Sequence, residues 1–112
     1  MTKSKAEGKH DRLCSIIKEE FERRGYDAYQ NVNYNDKFTD GEIDVIAYSK
    51  DKKYAIDVEV KCNKREKNTI KAHNQLNRAR EHYHGFKNKR LFTFLAYYVN
   101  GGYTMEWYKN DK

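Results

Sequence analysis

Two acids and an amine lie at spacings that could gather them around one phosphate. Asp44 falls in the stretch Glu42-Ile43-Asp44-Val45-Ile46-Ala47-Tyr48, and Glu59 and Lys61 fall in the stretch from Tyr54 to Lys61. The second stretch alternates strictly. Ile56, Val58 and Val60 take one side and Asp57, Glu59 and Lys61 the other, as the two-residue period of a strand requires. Glu59 and Lys61 then stand roughly 7 Å apart along one face, and Asp44, on the neighbouring strand of a hairpin, comes within reach of Glu59. Two carboxylates beside an amine make a site for a hard cation such as Mg²⁺, which takes oxygen ligands and keeps several waters. Such a cation would neutralise charge on a phosphodiester and acidify a bound water. Lys61 could orient or help deprotonate that water and stabilise the pentavalent phosphorus. The chemistry indicated is phosphodiester hydrolysis. A plainer reading stands beside it: in a chain that is 36% charged, Asp-X-Glu-X-Lys also describes a solvated, salt-bridged strand face, and spacing alone leaves both open.

The elements that must position these residues read in order along the chain. From about His10 to Arg24, Leu13, Ile16, Ile17 and Phe21 recur at intervals of three and four, an amphipathic helix with Gly25 as its stop. Tyr26 to Tyr34 reads as a first strand, a polar connection follows, and Glu42 to Tyr48 and Tyr54 to Lys61 read as the second and third. A second helix is expected from about Asn68 to His84, with Asn68 or Thr69 as N-cap and Gly85 as terminator. Leu91 to Val99 and Tyr103 to Tyr108 form a hairpin turning at Gly101-Gly102. The expected fold is therefore α/β: helix, three strands, helix, two strands around a central mixed sheet. Along the second helix Lys71, Gln75, Arg78 and His82 share one stripe, either a phosphate-tracking face or an ordinary solvated one.

Composition sets the class. A chain of 112 residues is room for one domain, here residues 1–112 with 1–9 expected to be loose. The net charge is +6, and basic residues concentrate in Lys61 to Lys67 and Lys87 to Arg90, which favours a polyanionic partner. Ten Tyr and five Phe argue against disorder. No apolar run approaches a membrane span and no signal-peptide pattern opens the chain, so an intracellular protein is expected. Two cysteines are too few for a disulfide scaffold. Cys62, His73, His82 and His84 lack the spacing of a structural zinc site, and Cys14 reads as a small buried apolar residue. Asp57, on the face of Glu59, reads either as a supporting acid or extra ligand or, more commonly, as exposed or lysine-paired; Glu42, on the face of Asp44, is an accessory candidate, and both stay outside the primary site.

Gly41 to Ala47, followed by Ile56-Asp57-Val58-Glu59-Val60-Lys61, resembles the PD-(D/E)XK nuclease superfamily, and within it small archaeal Holliday-junction resolvases and restriction-endonuclease-like proteins. The resemblance covers nearly the whole chain, with Ile43 where the motif carries proline. It implies a restriction-endonuclease-like fold in which Asp44 and Glu59 bind a metal, the backbone carbonyl of Val60 is a third ligand, and Lys61 is the catalytic lysine. It places Gln75 on the helix position where many members carry glutamine. It also implies an acidic ligand from the first helix, to be sought at Cys14, Asp11 or Glu7, with Glu7 preferred. The expected activity is Mg²⁺- or Mn²⁺-dependent cleavage of DNA, structure-specific in the manner of a resolvase, by direct water attack in a homodimer. Lys64, Arg65, Lys67, Lys71 and Arg78 would contact phosphates. The rival expectations are a non-catalytic nucleic-acid-binding module of the same fold and a small protein-interaction domain. Abundant Lys, Asn and Tyr without proline fit an A·T-rich genome such as that of a virus or mobile element.

Overall fold

A computed structural model describes residues 5–63 and 65–107; side chains are described except those of residues 5–7, 66 and 67. Helix α1 spans Lys5–Arg23, so the chain is already helical five residues before the expected start at His10. Leu13, Cys14, Ile17 and Phe21 are buried along its inner stripe. Gly25 ends the helix with φ +93°, where Tyr26 N–H donates to the Phe21 carbonyl at 3.0 Å and Gly25 N–H to that of Glu22 at 3.0 Å. This left-handed cap tolerates glycine because it has no Cβ to clash.

Strands β1 (Asp27–Asn35), β2 (Asp40–Tyr48) and β3 (Tyr54–Lys61) form an antiparallel meander. Helix α2 (Glu66–His82) then carries the chain to β4 (Arg90–Val99), which lies parallel to β3, and β5 (Gly102–Trp107) returns antiparallel. The sheet order is β1-β2-β3-β4-β5. A parallel pair needs a crossover between its strands, and α2 is that crossover.

The two helices cover opposite faces. Leu13, Cys14, Ile17 and Phe21 of α1 pack on Ala28, Val45, Ala47, Val58, Val60 and Ala96. On the other face Ala79 of α2 packs with Ile43, Ile46, Ala55 and Phe86. Because α2 lies over it, the polar side of β3 is not a solvated face: Asp57 is 1% exposed and Glu59 2%. That burial overturns both the plain reading of Asp-X-Glu-X-Lys and the expectation that Asp57 is exposed.

Several boundaries move. The N-cap of α2 is Arg65, not Asn68 or Thr69. Asn63 Oδ1 accepts from Arg65 N–H at 3.1 Å and from Asn68 Nδ2 at 2.9 Å, so the turn is closed upstream and both expected caps fall inside the first helical turns. At the far end Tyr83 caps α2, its N–H donating to the Ala79 carbonyl at 2.8 Å. Gly85 instead lies within the 3₁₀ turn His84–Phe86. In the last hairpin Val99 pairs with Gly102, so Asn100 and Gly101 are the loop and Gly102 is already strand.

Candidate active site at the parting of two strands

The β2–β3 ladder runs from Tyr48↔Ala55 to Val45↔Val58 and stops there. Two residues further, β2 is still paired with β1, through Val32↔Ile43 and Asn33↔Glu42. The strands part at Asp44, and the sequence supplies the reason. By the β1–β2 register Asn31 stands opposite Asp44 and has φ 55°, a left-handed conformation that asparagine adopts more readily than most residues. Across this point the alternation of β2 breaks: Ile43 packs on the α2 side and Val45 on the α1 side, although residues two apart share a face in a regular strand.

Asp44 occupies the gap. Its Oδ2 accepts from Val60 N–H at 2.8 Å, so a side-chain oxygen takes the donor that the departing strand leaves behind. It also shares a hydrogen bond with the Glu59 carboxyl. Burial pushes Glu59 well above the usual carboxyl range, and the Asp44 charge and hydrogen bond add to it. Burial acts on Asp44 in the same direction, yet hydrogen bonds from His10, Glu59 and Val60 hold it below its ordinary value. The two carboxyls are thus pushed in opposite directions, as expected when two acids share a dry site. Glu59 Oε1 is buried and accepts no hydrogen bond; Lys61 Nζ stands 3.6 Å from it.

Lys61 is held from the other side. Its Nζ donates to Gln75 Oε1 at 2.7 Å across the space between β3 and α2. The structure thus brings Asp44, Glu59, Lys61 and Gln75 together. The Val60 carbonyl belongs to the same strand segment, and its N–H is already committed to Asp44.

Among the described residues, His10 reaches Asp44 from α1. Its Nε2 lies 3.3 Å from Asp44 Oδ2, and its Nδ1 lies 3.8 Å from Cys14 Sγ and 3.7 Å from Asp11 Oδ1. The Asp44 hydrogen bond, then that of Cys14, outweigh burial and raise the imidazole to about 11. Burial raises the Cys14 thiol, and the imidazole only partly offsets it. Of the first-helix candidates, Glu7 has its side chain outside the described residues, and Asp11 approaches the site through His10. The signal for His10 was present in the sequence as a histidine four residues before a core-facing cysteine, the spacing that puts both on one helix face.

Asp57 is the second residue that sequence reasoning set aside. Neither of its oxygens accepts a hydrogen bond, and burial, then the Asp44 charge, push its carboxyl well above the usual range. Of the proposed phosphate contacts, Arg65, Lys71 and Arg78 are exposed. Lys64 and the side chain of Lys67 lie outside the described residues. His82 is not on an open phosphate face, since its Nδ1 pairs with Asp36 Oδ2 at 2.6 Å and its ring lies beside Phe38.

A sheet with a helix on each face, and acids where two strands part, defines the restriction-endonuclease-like class of fold. The family model described as restriction endonuclease matches residues 6–98. The chain belongs to that family, within the PD-(D/E)XK superfamily. No curated protein and no solved structure matches it. The family generally uses a divalent metal, and the residues present fit one: two acids in contact, one with a buried oxygen lacking a hydrogen bond. No helix among the described residues is long and apolar enough to cross a membrane.

Proposed function

We propose that this chain is a divalent-metal-dependent endodeoxyribonuclease that hydrolyses phosphodiester bonds of branched DNA by direct attack of water. The observation that carries the reading is the joined carboxyls of Asp44 and Glu59, with Lys61 Nζ 3.6 Å from Glu59 and fixed by Gln75. A solvated strand face would need none of this. When bound, a cation would supply charge neutralisation at the scissile phosphate and a more acidic water. Asp44, Glu59 and the Val60 carbonyl would hold it. Lys61 would orient the attacking water and stabilise the developing phosphorane charge. Gln75 fixes the ammonium's direction, and misplacing a reacting group by about 1 Å can cost on the order of 100-fold in rate.

Arg65, Lys71 and Arg78 are exposed, and phosphate contacts from them would set the register of the duplex arms. We further propose a two-fold homodimer, whose paired sites suit a junction of paired strands. Trp107, 59% exposed on β5 with Phe92 and Phe94 packed against it, offers the apolar face.

The test is cleavage of labelled four-way junction, flap, duplex and single-stranded DNA with Mg²⁺, Mn²⁺ or chelator, with Glu59→Ala beside the wild type. Metal-dependent cutting that falls by about 1,000-fold or more in the variant is expected, the scale of losing a principal electrostatic group. A binding module of the same fold would give binding without cutting, unchanged by Glu59→Ala, and that outcome would sink the catalytic reading.

A further inference from the structure

Among the described residues, the α1 side chains grouped with Asp44 are those of His10 and Cys14, which offer nitrogen and sulfur. One donor atom each from His10, Cys14 and Asp44 lies within 4.8 Å of the other two. The imidazole is closest, with Nε2 3.3 Å from Asp44 Oδ2. Ligands of a tetrahedral zinc centre stand roughly 3.3–3.8 Å apart, given Zn–N and Zn–S bonds of about 2.0 and 2.3 Å. The ring now spans its partners, with Nε2 towards Asp44 and Nδ1 3.8 Å from Cys14 Sγ, so the imidazole must turn for one nitrogen to share an ion with both. A core position at Cys14 asks only for a small apolar side chain. It does not ask for a histidine one turn earlier on the same helix face, touching the thiol and the acid at once. The neighbouring acid, Glu59, has a buried Oε1 without a hydrogen bond, but that oxygen faces Lys61 Nζ at 3.6 Å and lies outside the group of three donors.

We propose that the metal centre of this chain is built for a borderline transition cation, of the Zn²⁺ and Co²⁺ kind, held by the His10 imidazole, the Cys14 thiolate and Asp44, with the fourth position left to water or substrate. This rests on the same site as the proposed nuclease but concerns its donor set. Hard cations such as Mg²⁺ seek six oxygens, several from water. Imidazole and thiolate select the later first-row ions, and Cys14 releases its thiol proton to solvent as the sulfur–metal bond forms. Only one imidazole nitrogen binds the ion. Either choice leaves the other to Asp11 or to the opposite partner, which fixes the ring's orientation. Access is from the His10 side, where that side chain is 28% exposed and Asp44 only 6%.

The experiment is titration of the reduced full chain with Co²⁺ alone, read by absorption, and with Zn²⁺ or Mg²⁺, read by calorimetry. A thiolate-to-cobalt charge-transfer band in the near ultraviolet is expected. It should vanish in Cys14→Ser and persist in Cys62→Ser, which removes the other thiol. Cys14→Ser and His10→Asn should each weaken Zn²⁺ by more than the roughly 10–100-fold typical of partners one shell out. His10→Asn reads the site without touching the core position, so the result does not depend on whether Cys14→Ser folds. Absence of the band in the wild type, its survival in Cys14→Ser, or Mg²⁺ competing evenly with Zn²⁺ would overturn the proposal. Mg²⁺-dependent DNA cleavage indifferent to His10→Asn would overturn it too, while leaving the nuclease reading standing. A cobalt–thiolate band in a protein that cuts no DNA would support this donor set and remove the nuclease reading.

Discussion

Asp57 lies two residues before Glu59, on the same side of β3, and shows how far this strand is committed to its polar face. It is 1% exposed, and both oxygens lack a hydrogen bond. A buried polar group without a partner costs about 1–3 kcal/mol by mutational measure. We expect Asp57→Val, which suits strand packing, to raise the unfolding free energy of the metal-free protein by about that amount, read from urea midpoints at unchanged slope. A loss of stability would show that Asp57 has a partner that the static geometry does not reveal. A group retained at a cost to stability is typical of functional sites. The same physics explains which residues the sequence made legible. Glu59 and Lys61 announce themselves because the period of two puts them on one face of β3, Asp44 because a hairpin brings its strand alongside, and Gln75 through the family resemblance. His10 was legible only as a partner of Cys14 on one helix face: its contact with Asp44 depends on α1 starting at Lys5 and on the gap that β2 opens at Asp44. Neither is written in local spacing.

At the scale of elements, the periodic stretches appear where their patterns put them. The strand Tyr54–Lys61 is placed to the residue, and Gly25 closes α1 as its φ demands. The errors lie at ends decided by side-chain hydrogen bonds, such as the Asn63 turn that moves the α2 cap to Arg65. The β1–β2 connection is another such case. Asp36 accepts from Phe38 N–H and Thr39 N–H, each at 2.8 Å, and pairs with His82 on α2. It thereby ties the hairpin tip, with the 74% exposed Phe38, to the end of the crossover helix. The Phe38 amide foremost, against some desolvation, and then Thr39 and His82 hold the Asp36 carboxyl below its ordinary 3.8. A carboxyl depressed by folding lends stability above its unfolded value and loses it as the pH falls through the lower folded value. The tip should therefore stay tied above about pH 4 and release only in stronger acid. Amide shifts of Phe38 and Thr39 followed through an acid titration give the check. A midpoint at or above 3.8 would mean that these bonds do not hold the carboxylate in solution.

For the whole molecule, the balance of +6 says only that polyanions are welcome; the fold decides where. Of the two helices in the three-layer stack we expect α2 to face a DNA substrate, because Gln75 on that helix reaches Lys61 while Lys71 and Arg78, four before and three after it, are exposed. Such contacts are electrostatic and release counterions, so the observed affinity should fall steeply with salt, by a slope of about 0.9 per phosphate neutralised in a log–log plot. Removing one contact should reduce that slope by about one unit and weaken binding evenly across sequences. We expect this of Lys71→Ala and Arg78→Ala, measured by fluorescence anisotropy in chelator so that binding is read without cutting. Lys50, which pairs with Asp27 at 3.2 Å and lies in the β2–β3 turn, serves as the control, and Lys50→Ala should leave the slope unchanged. If all three variants shift the slope equally, the field of the whole molecule, not the α2 stripe, draws the DNA in. The face presented to the substrate would then have to be sought away from the helix that holds Lys61.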